Sequence, residues 1–238
     1  LKKTMITMEN DQRAMEKRMR ESGNAVRTLT TGVTMTIGEY AVTGPLARYL
    51  NLHPDVNVCL RFGNTDRLLE GLRAGEMDLA LSEGYIRSEE FDTELFRRER
   101  YILVCAAGHA LPAGKQKLKD LLGERLILRE KGSGSRRILE RNLAARNLKI
   151  SDFIHYAEVE NIHTMVSLLV RDCGIAFLYE AAVEQEIRQG LLKEIRLEDF
   201  SMDHEFLFLW NKGSVFSSEL KKLCEEWIQL DKDASGGR

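Results

Sequence analysis

The residues best suited to chemistry stand together in Arg129-Glu130-Lys131-Gly132-Ser133-Gly134-Ser135-Arg136-Arg137. The stretch follows a short apolar run and precedes a helical pattern, so it is a strand end running into a helix start. Glycines let the backbone come close to a ligand, and serine hydroxyls and helix-start N–H groups donate hydrogen bonds. Arg136 can fork two bonds onto a carboxylate, sulfate or phosphate. Ser133, Gly134, Ser135 and Arg136 therefore make a small-anion cradle. A P-loop is excluded, because the Gly-Lys-Ser/Thr ending with its phosphate lysine is absent. The competing reading is a flexible surface loop carrying a solvated basic cluster.

Three more segments have the same character: Thr34 to Gly38, Gly63 to Thr65, and Ser82 to Gly84, all small, polar and rich in hydroxyls. Each follows a strand pattern, and open parallel sheets bind ligands beyond the carboxyl ends of their strands. Any one of them alone reads as an ordinary cap or turn. If two lobes face each other, Thr36, Ile37, Thr65, Glu83, Asn161 and Ile162 stand opposite the serine-rich loop. Such a site binds without reacting. There is no G-x-S-x-G elbow, and His53, His109, His155, His163 and His204 are scattered rather than set at metal-ligand spacing. His163, in the first turn of a helix near the expected cleft, reads as a surface histidine. Glu83 would serve as an acid or base only with a partner, and none is identifiable. No catalytic residue, metal ligand or cofactor is expected.

The elements that must hold these groups follow from period. Val56, Val58, Leu60 and Phe62 alternate with Asn57, Cys59 and Arg61, which is a strand. Asn64 stands at a helix N-cap, Leu68, Leu69 and Leu72 form one apolar face, and Gly75 supplies a left-handed stop. The preceding helix should be regular from about Thr43, because Pro45 cannot lie deep inside it. Strand, helix, strand, helix, strand from Thr28 to Gly84 is a parallel α/β layer. A second unit repeats it: strand Arg125 to Arg129, helix Arg136 to Arg146, strand Ile154 to Val159, helix Asn161 to Asp172 with Gly174 as its stop, and strand Ile175 to Tyr179. Between the units runs a charged connection, Arg87 to Arg100, then a strand from Tyr101 to Ala107. A strand from Glu205 to Trp210 and a helix striped by Phe216, Leu220, Leu223, Cys224, Trp227 and Ile228 complete the chain. If this piece returns to the first lobe, the chain crosses twice, near Val104 to Gly108 and near Met202 to Glu205.

Over 238 residues, 43% hydrophobic and 30% charged residues describe an ordinary globular balance, and the net charge of -2 argues against nucleic-acid binding by charge alone. No apolar run spans a membrane and the start is too charged for a signal peptide, so no membrane partner and a cytoplasmic setting are expected. Cys59, Cys105, Cys173 and Cys224 lack paired spacing and read as buried reduced thiols. At the start, Leu1, Met5, Met8, Gln12, Met15 and Met19 trace a heptad seam. That helix either lies on its own domain or pairs with another chain. A beginning at Leu1 rather than Met suggests a fragment of something longer.

Thr36-Ile37-Gly38-Glu39-Tyr40, Pro45-Leu46, His53-Pro54-Asp55-Val56, Gly63-Asn64-Thr65, Gly75 to Leu81, Glu130 to Arg136 and Gly174-Ile175-Ala176, in that order, resemble the effector-binding domain of LysR-type transcriptional regulators, preceded by that family's linker helix. The resemblance implies an α/β fold of two Rossmann-like lobes of periplasmic-binding-protein type, joined by two crossover strands. The expected layout is a linker helix over 1–26, one lobe from 27–104 with 205–230, the other from 105–204, and a disordered or vector-derived tail at 231–238. It implies a small effector in the cleft, meeting Thr36, Ile37, Thr65, Ser133 to Arg136, Asn161 and Ile162; the match leaves the ligand class open, and it is the serine-rich loop that points to an anion. It also implies homodimers of this domain, tetramers of the full protein, and DNA contact through a winged helix-turn-helix preceding Leu1. The family often has threonine where this chain has Ser135, which keeps the hydroxyl and loses a methyl. A transport-type solute-binding protein of similar fold is the alternative, and an enzyme is not expected.

Overall fold

The computed structural model describes residues 2–21, 27–83, 86, 89–111, 114 and 116–235. Gly84, Pro112, the end of the expected linker segment at 22–26, and 236–238 lie outside them. The chain forms two compact units, Leu1–Arg97 with Glu205–Arg238, and Arg98–His204. In order, the elements are α1 (Lys2–Glu21), β1 (Arg27–Val33), α2 (Thr43–Leu52), β2 (Val56–Phe62), α3 (Thr65–Arg73), β3 (Leu79–Ser82) and β4 (Phe91–Ala106). There follow β5 (Arg125–Leu128), α4 (Gly134–Ala144), β6 (His155–Glu158), α5 (Ile162–Val170), β7 (Ile175–Tyr179), α6 (Glu184–Arg188), β8 (Leu192–Glu194), β9 (Asp203–Asn211) and α7 (Ser217–Ser235).

In the first unit β1 is flanked by β2 and β3, both parallel to it, with Thr31 level with Leu60 and Leu79; β9 joins β3 antiparallel. A single π-helical turn, Ile37–Ala41, precedes α2, so Pro45 falls in the first turn of α2, where a missing N–H breaks no bond. In the second unit β5 is parallel to β6 and β7, while β4 runs antiparallel to β7 on one edge and to β8 on the other. Both sheets are mixed, and β4 and β9 are the strands in which the chain changes unit.

Several expectations need correction. Arg87 and Ser88 of the expected charged connection lie outside the described residues, and from Phe91 onward it is strand, so that the run Arg97-Arg98-Glu99-Arg100 belongs to β4. Its charges are held in pairs, Arg97 with Asp231 at 3.3 Å and Arg100 with Glu180 and Glu194 at 2.8 and 2.7 Å. The same Arg97–Asp231 pair explains why residues 231–235 are no tail. Asp231 is buried and α7 runs on to Ser235, its Leu220, Cys224, Trp227 and Leu230 turned inward. Trp227 lies 5.6 Å from the Tyr49 ring of α2 and 6.1 Å from Phe208 of β9, ring centre to ring centre. A large side chain buried this fully contributes roughly 1.5–3 kcal/mol by area alone. After α5, Asp172 is left-handed at φ 59° and Gly174 also has a positive φ, 151°. Gly174 is required for a second reason: a Cβ there would collide with the carbonyl oxygen of Arg125.

α1 lies on its own unit through its polar face. Asn10 donates to the carbonyls of Leu72 and Arg73 at 3.4 and 3.0 Å, and Arg13 to that of Ala74 at 3.1 Å, taking up the acceptors left over at the end of α3. Asp11 accepts from Ser214 Oγ at 2.6 Å and from the Val215 N–H at 2.9 Å. Gly75, at φ 69°, leaves the space that Asn10 fills, for a Cβ would stand 2.7 Å from its Oδ1. Met5, Met8, Met15 and Met19 stay exposed.

The cysteines are not all buried. Cys105 and Cys224 are, Cys173 is half-buried, and Cys59 is exposed, because β2 is the edge strand of its sheet. Burial pushes the Cys105 thiol up to about 11 and raises that of Cys224. Since the thiolate is the reactive form, both are inert at pH 8 on grounds of access and of protonation. A disulfide-exchange reagent at pH 8 should therefore label Cys59 within the first phase, and Cys105 and Cys224 only after denaturant is added; early labelling of either buried thiol would contradict this packing.

Candidate functional site

Helix starts at strand ends govern the local geometry, and the chain treats them in two ways. Asn64 Oδ1 accepts from the Arg67 N–H at 3.0 Å and Asn161 Oδ1 from the Thr164 N–H at 2.9 Å, so α3 and α5 each begin with a side-chain cap. α4 begins at Gly134, which places Gly134, Ser135 and Arg136 in its first turn rather than in a loop before it. Its N-cap, Ser133, makes no cap bond with its side chain. The Ser133 hydroxyl lies 2.9 Å from that of Ser135 instead, and both residues are buried. Tyr101 donates its hydroxyl to the Ser135 carbonyl at 3.1 Å, fixing this turn against β4.

Arg136 is not free to fork onto a ligand in the way the sequence suggests. Its Nε donates to Glu140 at 2.9 Å, and its Nη1 to the Arg129 carbonyl at 2.9 Å and to Glu158 at 2.5 Å. Burial works to lower its pKa, but the hydrogen bonds it donates to Glu158 and Glu140, with the charges of those carboxylates, outweigh burial and leave it raised. The structure makes Arg136 a brace that ties α4 to the ends of β5 and β6. Neighbouring Arg129 is 4% exposed and holds Glu130 through two nitrogens, at 2.8 and 3.1 Å.

In the first unit the carboxyl ends of β1 and β3 meet the start of α3. Thr65 Oγ1 lies 3.0 Å from Ser82 Oγ, and Thr34 Oγ1 is hydrogen-bonded to Glu83, itself 1% exposed. Thr36 and Ile37 are buried at the π-helical turn. A sheet edge of this kind, all hydroxyl and carboxylate, offers both donors and acceptors to a polar ligand. Thr34 and Ser82, which open two of the polar segments marked in the sequence, belong to it as the partners of Glu83 and Thr65. In the second unit Asn161 is exposed with its Oδ1 engaged as a cap, Ile162 is buried, and His163 is exposed. Among the described residues no group of three His, Cys, Asp or Glu side chains could hold a metal ion.

The profile of the LysR substrate binding domain matches residues 22–229. The chain belongs to that family. Among curated relatives, this LysR-family chain is 24% identical over 182 residues to the HTH-type transcriptional regulator CysL of Bacillus subtilis, covering 76% of the chain and 60% of that relative. Thus it spans less than two thirds of the regulator's length. Among solved structures, the CcmR regulatory domain of Synechocystis, in complex with 2-PG, superposes with a TM-score of 0.75 at 16% identity, covering 86% of this chain and 97% of the other. The effector-binding domain of QuiR, in complex with shikimate, gives a TM-score of 0.72 at 19% identity, covering 87% and 98%. At these identities the likeness establishes the fold, a mixed α/β arrangement of periplasmic-binding-protein type with an N-terminal helix.

The two asparagine caps are far apart in sequence, share no partner, and lie in different units. Asn64→Ala and Asn161→Ala should each cost about 1 kcal/mol in urea-induced unfolding, and the double variant should show their sum. Two costs near zero would mean that these caps do not carry the helix starts.

Proposed function

We propose that this chain is the effector-binding part of a LysR-type transcriptional regulator, and that a small anionic metabolite held in the cleft between two lobes controls DNA-dependent transcription. The observation that carries the reading is the start of α4, with first-turn N–H groups, two buried serine hydroxyls and no side-chain cap. A helix N-terminus favours negative charge and presents donors to it. The threonine and serine edge of the first unit, with Thr65, Ser82, Thr34 and Glu83, supplies polar partners for the rest of the metabolite. Support by likeness comes from the bound 2-PG of CcmR and the bound shikimate of QuiR.

The effector acts on transcription only if it binds one arrangement of the regulator better than another. In this reading α3 is the route to the DNA-binding region. Its first residue, Thr65, belongs to the hydroxyl edge, and the carbonyls at its other end hold Asn10 and Arg13 of α1. In this reading α1 is the linker to a winged helix-turn-helix, and its exposed methionines pair with the same helix of a second copy, in a homodimer that assembles to tetramers in the full-length, cytoplasmic protein. The chain carries no catalytic role. No helix among the described residues is long and apolar enough to cross a membrane.

Thermal unfolding of the 238-residue chain with 2-PG, shikimate, sulfate or phosphate tests the reading. A ligand at a hundred times its dissociation constant should add about 2.7 kcal/mol of stability, a rise of several degrees in melting temperature. Cooperative melting unmoved by all four anions would reduce the cradle to an ordinary surface turn.

A further inference from the structure

Within the second unit, Arg129 has a feature that the anion cradle alone does not explain. Its side chain is buried at 4% exposure at the carboxyl end of β5. Nε and Nη2 donate to the two carboxylate oxygens of Glu130, but Nη1 is buried and has no hydrogen-bond partner among the described residues. That nitrogen carries two N–H donors. Leaving such donors buried and unmet costs on the order of 1–3 kcal/mol, so folded proteins keep few of them, and those they keep ask for a reason.

The surroundings give one. Arg136 grips the Arg129 carbonyl at 2.9 Å, which fixes Arg129 beside the first turn of α4, a helix of 11 residues. The groups gathered there are donors: the first-turn N–H groups and the hydroxyls of Ser133 and Ser135. The carboxylates nearby are already engaged, Glu130 by Arg129, and Glu140 and Glu158 by Arg136. A cluster of donors with its own acceptors in use is completed by an oxygen from outside the chain.

We propose that Arg129 Nη1 is the charged donor that meets an oxyanion of the ligand, a carboxylate, sulfate or phosphate oxygen, at the start of α4, and that Arg136 is a positioning residue that holds Arg129 in place. The inference rests on the effector-site reading given above. Binding adds a charge-assisted hydrogen bond through Nη1 while the pair with Glu130 persists through the other two nitrogens. Specificity for an oxyanion over a neutral isostere then lies in residue 129, and Arg136 contributes to affinity only through the geometry of the turn.

The test is isothermal titration of the 238-residue chain with the same four anions, beside Arg129→Gln, Arg129→Lys and Arg136→Gln, with the ligand-free melting temperature of each. The expected result is an anion that binds the parent and binds Arg129→Gln roughly ten- to a hundredfold more weakly, measured below the ligand-free melting temperature of that variant, which should fall because Glu130 loses its guanidinium partner. Arg129→Lys keeps charge without the Nη1 geometry, should fall between, and decides the matter if the glutamine variant does not fold. Arg136→Gln should lower the ligand-free melting temperature. An anion bound equally well by the parent and by both Arg129 variants would overturn the inference and leave the effector-site reading standing. Failure of all four anions to bind the parent would overturn both.

Discussion

A parallel strand that turns into a helix leaves first-turn N–H groups that need an acceptor, and this requirement organises the protein more than any other. Three strand-to-helix turns show how it is met. Asn64 answers it at α3 and Asn161 at α5, each with a side-chain oxygen about 3 Å from a backbone nitrogen. At α4 the equivalent residue, Ser133, turns its hydroxyl to Ser135 and makes no cap bond. Two helices are closed by the chain itself. The third has no side-chain cap, and the packing of Tyr101 and Arg136 around it holds the turn in place.

That arrangement is costly in charge, which explains the density of ion pairs in so short a stretch. Two buried arginines, Arg129 and Arg136, are each held by carboxylates, and Arg136 also grips the backbone of Arg129. Burying a guanidinium without partners is far less favourable than burying it paired, so the braces are a condition of having positive charge near the helix start at all. In the first unit the corresponding edge is neutral hydroxyls with a single buried carboxylate, Glu83, anchored by Thr34. The two edges differ in chemistry: the second unit offers donors for an anion, and the first offers donors and acceptors suited to hydroxyl groups.

The parts legible in the sequence were those governed by near neighbours. The alternation of Val56 to Phe62, the Asn64 and Asn161 caps and the left-handed Gly75 are all decided within one or two turns, and the structure has each of them. What escaped depends on residues distant in the chain. Arg136 looked available because Glu158 lies beyond the end of α4, on β6. Asp231 looked like the start of a tail because its partner, Arg97, is in β4. The heptad seam of α1 drew attention to its methionines, whereas the docking face is Asn10, Asp11 and Arg13, whose partners are mostly backbone groups that no side-chain pattern announces. Arg129 carried a weak signal: a charged residue directly after Leu126-Ile127-Leu128, where a strand buried on both faces leaves it little access to water.

The central proposal is that a small anion is held at the start of α4, and backbone amide shifts in a nitrogen–proton correlation spectrum test it most directly. On titration with whichever of 2-PG, shikimate, sulfate or phosphate stabilises the chain, the amides of Gly134, Ser135 and Arg136 should move along one saturation curve that matches the gain in stability. If those amides stay still while the shifts gather elsewhere, the account fails at its main point.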